Sequence, residues 1–383
     1  MTTPTQSVCF GISGSISAYK SLDIIRRLKK ASIDIRPFLS ESAHKFVTPW
    51  SVETLSESPL LNQHLSNGRI VHLDAIRDAQ TFVICPASAN IIAKIASGMA
   101  DDPLTASFLS FTGTKLLFPA MHTEMIENPI TQRNINICRE LGITVIDPAY
   151  GDLACGDTGA GRLPDVNLIA DIIQFSLINP IDLAGKHIVI TCGGTTEPID
   201  PVRAITNFAT GRSGHVMANM ASYFGADVTL IRANQHPVLN SVKPIDISTA
   251  SELEQVLLPF ASSADTLIMN AAVSDFTVIP KPTKQTRQSF STLDVSPTTD
   301  ILAAFNAKKS AHCKSIGFCL SDSDDIISVA KQKRIEKGCD VIVANGVDSF
   351  GSDLRSIHII SDKDSTSIKQ ASVIDTAAAI LSC

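Results

Sequence analysis

The chain lacks any CxxC pair. Its nine cysteines, Cys9, Cys85, Cys138, Cys155, Cys192, Cys313, Cys319, Cys339 and Cys383, are scattered and odd in number. That spacing argues against a disulfide framework or a zinc site, and a reducing cytosol is the expected setting. Positive charge is not in excess either: 32 Lys and Arg stand against 38 Asp and Glu, for a formal net charge of −6. A general nucleic-acid binder carries a basic patch, so that class is not expected. Small anionic ligands stay open, because helix N-termini and a few local cations hold phosphate on an acidic protein. No apolar run approaches the length that spans a bilayer. The opening MTTPTQS has neither a basic n-region nor an apolar h-region, so no signal peptide is expected. What is plentiful is apolar. Hydrophobic residues at 44% against 18% charged, over 383 residues, predict two packed globular domains rather than disorder.

Two strand–glycine–helix openings lie half a chain apart. The first runs from residues 7–10 through the turn Gly11-Ile-Ser-Gly14-Ser15 into a helical pattern with Leu22, Ile24, Ile25 and Leu28 on one side. The second runs from residues 187–191 into Cys192-Gly-Gly-Thr-Thr196. Each reads as the first βα unit of its own open α/β sheet. Short apolar runs follow at 81–85, 115–118 and 144–146, and at 228–232, 266–269, 316–318 and 341–344. Bounded by Pro, Gly or Asp, such runs suit buried parallel strands. The expected fold is α/β, with two open, doubly wound Rossmann-like domains over 1–178 and 185–383 and a linker at 179–185.

In the first half, the turn from Gly11 to Lys20 offers backbone N–H groups and hydroxyls at a helix start, where phosphate binds. A plain tight βα turn explains it equally well. Pro86-Ala-Ser-Ala-Asn90 follows a buried strand, at the edge where open α/β sheets hold ligands. Small residues there let a flat ring approach, and Ser88 and Asn90 can bond its edge; a helix N-cap at Ser88 or Asn90 is the plainer role. Pro119-Ala-Met-His-Thr-Glu-Met125 lines the same edge by position. Residues 151–162 hold four glycines and Cys155, the look of a mobile lid carrying one thiol.

The motifs GISGSISAYK, PASAN, PAMxxxM and ACGDTGAGR, in this order, resemble the homo-oligomeric flavin-containing cysteine decarboxylases over about residues 7–173. The resemblance implies a flavodoxin-like domain that binds FMN, with Gly11, Ser13, Gly14, Ser40, Ser88, Ala89, Asn90 and Met121 as cofactor contacts. His72 matches the family's catalytic base or proton shuttle, and Cys155 its lid cysteine. Where the family has PAMN, with the Asn on the substrate carboxylate, this chain has His122. A protonated imidazole also binds a carboxylate, but with a different shape and pKa. The implied chemistry fits: oxidation of a cysteinyl thiol through FMN makes the electron sink that lets CO₂ leave, while the protein positions and shields the reactants.

In the second half, residues 192–203 and 204–214 form two glycine-rich turns in tandem, suited to a nucleotide triphosphate, with Arg212 as a charge partner. Read together, GGTTEPIDPVR, TNFATGRSG, NAAVSDF and AKQKRIEKGCDVIVAN resemble the phosphopantothenate–cysteine ligase domain over about residues 185–362. Decarboxylase and ligase are commonly fused in this order. The resemblance implies activation of 4′-phosphopantothenate by CTP with Mg²⁺, then attack by the amine of cysteine. Asn207 matches the acyl-cytidylate asparagine, and Lys284 is the candidate essential lysine in an altered KIKK segment. Gly193, Gly194, Thr195, Arg203, Gly211, Arg212, Ala271, Ala272, Asp275, Phe318, Lys331, Lys333 and Asp340 are the implied substrate and nucleotide contacts, with Asn345 in the same strand as Asp340. A solvated helix face is the ordinary role of AKQKRIEK.

The sequence therefore points to a bifunctional enzyme of coenzyme A biosynthesis: cytoplasmic, without membrane or nucleic-acid partners, and a homo-oligomer built on trimers, up to a dodecamer. Two other readings stay open, a ligase with an idle flavin-fold half and a regulatory scaffold that lost catalysis.

Overall fold

The computed structural model describes residues 6–62, 65–66, 69–70, 73, 76–286, 292–323, 325–347 and 354–383. The chain divides into two compact units, Met1–Asn179 and Pro180–Cys383. No helix among the described residues is long and apolar enough to cross a membrane.

The first unit is built on a parallel sheet of β1 (Ser7–Ile12), β2 (Asp34–Leu39), β3 (Thr81–Ala87), β4 (Thr114–Pro119) and β5 (Thr144–Val145). Its strand order, β2-β1-β3-β4-β5, is the flavodoxin-like 2-1-3-4-5 winding. β1 and β3 are buried along their whole length. Helices cover both faces of such a sheet, so its central strands are apolar throughout rather than alternating. The helices are α1 (Lys20–Lys30), α2 (Ala89–Ala96), α3 (Pro103–Ser110), α4 (Pro129–Glu140) and α5 (Val166–Phe175). α1 packs on α5, and α2 on α4. An antiparallel hairpin, β6 (Ala149–Asp152) and β7 (Thr158–Arg162), precedes α5.

Phe82 sits at the centre of this core with no exposed surface. Its ring stacks on Phe38 at 5.3 Å and meets Phe108 and Phe111 edge-on at 5.2 and 5.7 Å. Phe82→Ala is expected to lower the unfolding free energy of the first unit by about 3–5 kcal/mol. Denaturant unfolding of the full chain measures this; a loss below about 1 kcal/mol would contradict the packing described.

The second unit holds β8 (His187–Cys192), β9 (Thr196–Asp200), β10 (Arg203–Thr206), β11 (Asp227–Arg232), β12 (Val242–Asp246), β13 (Thr266–Met269), β14 (Lys314–Ser321), β15 (Val341–Gly346), β16 (Leu354–Ile360) and β17 (Ser365–Ser372). The large sheet runs β12-β11-β8-β13-β14-β15-β16-β17. Its first six strands are parallel in the Rossmann order 3-2-1-4-5-6, and β16 and β17 extend it antiparallel. β9 and β10 form a separate hairpin. The helices are α6 (Arg212–Tyr223), α7 (Ala250–Leu257), α8 (Ile301–Asn306), α9 (Ile326–Lys337) and α10 (Val373–Leu381). Leu253, Leu257, Phe305, Ala330 and Ile342 belong to one buried apolar cluster that ties α7, α8 and α9 to the sheet. Both doubly wound sheets match the fold expected from sequence.

Candidate active sites

In the first unit the motif residues gather at the carboxyl edge of the sheet, where β1 and β3 lie side by side. The strand order reverses here, which opens the crevice in which such sheets hold ligands. Ser13 is 1% exposed. Its hydroxyl donates to the Pro86 carbonyl at 2.8 Å and accepts from the Ser88 N–H at 2.9 Å. Ser13 is thus a strut between the two loops at this edge. Gly11 is closely packed as well. It lies within β1, and a Cβ there would approach Leu104 Cδ1 to 2.5 Å, so its space is filled by α3. Gly14 presses against Ser42, whose Oγ would lie 2.4 Å from an added Cβ. Ser40 follows β2, and its hydroxyl pairs with that of Ser42 at 3.2 Å. Ser88 caps α2 by accepting from the Ile91 N–H at 3.4 Å. The helix-cap reading of PASAN therefore holds, while Ala89 and the exposed Asn90 stand beside it at the edge. His72 lies outside the described residues.

The segment after β4 is where the cysteine hairpin docks. The Met121 N–H donates to the Gly161 carbonyl at 3.1 Å, and the Thr123 hydroxyl donates to the Ala160 carbonyl at 2.8 Å. Gly161 has φ +119°, and a Cβ there would come within 2.2 Å of the Met121 carbonyl oxygen, so only glycine permits this approach. The docking sets His122 against the hairpin. His122 Nε2 lies 3.1 Å from Asp157 Oδ2, and Nδ1 contacts the Glu124 carboxylate. The Cys155 thiol donates to the same Asp157 oxygen at 3.4 Å. The sequence reading missed Asp157 as a partner of His122, because that pairing spans 35 residues, and missed Glu124 although it lies only two residues on. The bond to Asp157 raises the His122 pKa above 6.5 against the pull of desolvation, and Glu124 adds to the rise. The same bond holds Asp157 below the usual carboxylate value. The tether is therefore complete below pH 6.5 and is lost as the pH rises through the elevated His122 pKa. An NMR titration of the His122 ring should give a midpoint above 6.5, and Asp157→Asn should move it back down.

In the second unit two neighbouring sites share Ala272. At the first, the loops after β8 and β13 and the start of α6 are knitted together. The Gly194 N–H donates to Asn234 Oδ1 at 3.2 Å, and the Thr195 N–H to the Ala272 carbonyl at 3.2 Å. Thr195 is fully buried, and its hydroxyl accepts from the Ser274 N–H at 2.9 Å. A Cβ on Gly193 (φ +87°) would come within 2.3 Å of Asn234 Oδ1. These bonds hold Gly193, Gly194 and Thr195 in a fixed turn against the loop after β13. Asn207 donates its amide to the carbonyls of Ala272 and Val273 at 3.1 and 3.2 Å. Gly211 caps α6 at φ +77°, and Arg212 is the first residue of that helix.

The second site is a cavity of about 360 Å³ lined by Ala271, Ala272, Asp275, Thr298, Phe318, Lys333 and Lys337, among others. Ala271, Ala272, Asp275, Phe318 and Lys333 thus come together from separate motifs. Lys331 does not line it and is exposed, whereas Lys337 does line it. Lysines four apart share a helix face and lysines two apart do not, a periodicity that could have identified Lys337. Lys337 pairs with Asp300 at 2.9 Å. Burial works to raise the Asp300 pKa, but that bond and the Ala303 N–H outweigh it and lower the pKa. Asp340 does not line this cavity. It precedes β15, at the opposite end of the strand from the ligand edge, and holds Lys309 at 2.7 Å and the Ser315 N–H at 2.7 Å. Arg203 pairs with the buried Asp200 at 3.1 Å and donates to the Gln285 carbonyl at 3.1 Å. That contact puts the exposed Lys284 on a segment bound to the β9–β10 hairpin rather than on the cavity wall.

A flavodoxin-order unit with a cysteine hairpin, joined to a Rossmann-order unit with a lysine-lined cavity, defines a two-part flavoprotein class. Two family descriptions match accordingly: "Flavoprotein" over residues 2–177, and "DNA/pantothenate metabolism flavoprotein C-terminal domain" over residues 183–383. The chain is 36% identical over 361 residues to the coenzyme A biosynthesis bifunctional protein CoaBC of Mycobacterium tuberculosis (strain ATCC 25618 / H37Rv), covering 89% of this chain and 86% of that one. It is 35% identical to the same-named protein of Bacillus subtilis (strain 168), with 92% and 90% covered. For the Escherichia coli (strain K12) protein the identity is 33%, with 94% and 91% covered. The chain belongs to the family of coenzyme A biosynthesis bifunctional CoaBC proteins.

Proposed function

We propose that this chain builds the pantetheine arm of coenzyme A in two steps. The second unit joins 4′-phosphopantothenate to cysteine through an acyl-cytidylate made from CTP, and the first converts the product to 4′-phosphopantetheine and CO₂. One observation carries the reading: in each unit, residues from distant motifs converge at the carboxyl edge of the sheet beside the reversal of strand order. Membership of the CoaBC family supports it.

The residues of the first unit fit FMN. Ala89 leaves room for a flat ring, Ser40, Ser42 and Ser88 supply hydroxyls, and Asn90 supplies an amide. When bound, FMN supplies the two-electron oxidation of the cysteinyl thiol that makes loss of CO₂ easy. His122, charged by its acidic neighbours, pairs with the substrate carboxylate. Cys155, on the hairpin over the site, holds a proton at Sγ for the product side of the reaction. In the second unit the residues fit a nucleotide triphosphate. Lys333 and Lys337 offset the charge of the departing pyrophosphate, and the Asp275 carboxylate suits Mg²⁺. Asn207, fixed through Ala272 and Val273, keeps its carbonyl oxygen for the acyl intermediate.

A ligase with a silent first unit is the second reading, favoured by one contact: His122 is already paired with Asp157 and Glu124. An assay with 4′-phosphopantothenate, cysteine, Mg²⁺ and either CTP or ATP decides. Pyrophosphate from CTP together with CO₂ is the expected result. Pyrophosphate without CO₂ selects the second reading, and neither product from flavin-loaded protein overturns both.

A further inference from the structure

We propose that His122, Cys155 and Asp157 form a binding site for a borderline-soft divalent cation of the zinc class, with Glu124 as its supporting carboxylate. Nitrogen, sulfur and oxygen donors in one cluster are the ligand types zinc takes. The three ligand atoms lie within 4.8 Å of one another, and this is the one such group among the described residues.

Two of the three ligand edges have the spacing of a coordination shell. In a tetrahedral site with Zn–N and Zn–O near ~2.0 Å and Zn–S near ~2.3 Å, ligand edges are about 3.3 Å for N to O and about 3.5 Å for S to O. Here His122 Nε2 is 3.1 Å from Asp157 Oδ2, and Cys155 Sγ is 3.4 Å from the same oxygen. The remaining nitrogen–sulfur edge lies within 4.8 Å and closes to about 3.5 Å around a cation by side-chain movement of about 1 Å.

Glu124 is the second, independent observation. Its carboxylate contacts His122 Nδ1. A metal-binding histidine characteristically gives its other ring N–H to a carboxylate, which fixes the tautomer and makes the free nitrogen a better ligand. The nitrogen left over is Nε2, the one that faces Cys155 and Asp157. Three protein ligands leave a fourth position for water or a substrate group. The ligands come from two segments 33–35 residues apart, so no CxxC-type spacing announces the site.

Occupancy would pin the β6–β7 hairpin to the segment after β4 and take the Cys155 thiolate out of use. Inhibition of CO₂ release by the cation rests on the proposed decarboxylase reading; the site itself does not.

The test uses the full chain with Zn²⁺ as the probe. Cys383 is the other exposed thiol among the nine, so a Cys383→Ser background removes it. Competition against a chromogenic chelator should show one tight equivalent per chain. His122→Asn and Cys155→Ser should each weaken it about 100-fold or more, and Glu124→Gln about 10–100-fold. Zn²⁺ should protect Cys155 from iodoacetamide in the parent and not in His122→Asn. Unchanged affinity in both His122→Asn and Cys155→Ser overturns the proposal. If the parent releases no CO₂ at all, the binding arm still decides the site, and the decarboxylase reading fails alone.

Discussion

Cys155→Ser is expected to cut CO₂ release by about 10³-fold while pyrophosphate release continues at the parent rate. A positioned acid or base contributes about 10²–10⁴-fold, and serine keeps the shape of cysteine but not its acidity. Cys155 is one of two exposed cysteines; the other seven are buried. Burial raises the thiols of Cys9 and Cys192 to about 12, so neither substitutes for it. Serine also keeps a donor for Asp157, so the docking bonds from Met121 and Thr123 to the hairpin persist. The ligase should be indifferent, because its motif residues all lie in the other compact unit. Measuring both products on one preparation makes the test internal. A parallel loss of pyrophosphate would mean that the substitution disturbs the fold, and unchanged CO₂ would remove Cys155 from the chemistry.

Much of the fold was legible because the central strands of a doubly wound sheet are buried on both faces. The runs at 82–85, 188–190 and 341–344 announce themselves as unbroken apolar stretches. The outer strands β2 and β12 do not. β2 carries Asp34, Arg36 and Pro37, and β12 carries Lys243 and Pro244. Each lies at an edge of its sheet, where charge and proline are tolerated because no further strand needs the backbone donors. The site was legible by segment more than by side chain. Glycine motifs fall at the carboxyl edges of the sheets, yet glycine serves close packing as readily as ligand approach. Gly11 yields to Leu104, and Gly193 to Asn234. Partners that meet only through tertiary structure, such as Asp157 with His122 or Asp300 with Lys337, leave no mark at sequence spacing.

The basic run on α9 gives the sharpest contrast between neighbouring residues. Lys331, Lys333 and Lys337 share one segment, and only the last two face the cavity. Residues two apart on a helix point about 200° apart, and residues four apart nearly coincide. Lys333→Ala is expected to slow pyrophosphate release by about 10²-fold, the scale of losing one preorganised partner of a developing charge. Lys337→Ala should do the same and also strip Asp300 of its ion pair, so it should weaken nucleotide binding as well as turnover. Lys331→Ala should change neither by more than about twofold, because an exposed lysine off the cavity meets the triphosphate only through screened solvent. Raising the salt concentration should narrow the gap only slightly, since groups lining a cavity are screened less than surface charges. Equal losses for Lys331 and Lys333 would mean that the run acts as a diffuse basic surface and that the cavity is not where the triphosphate sits.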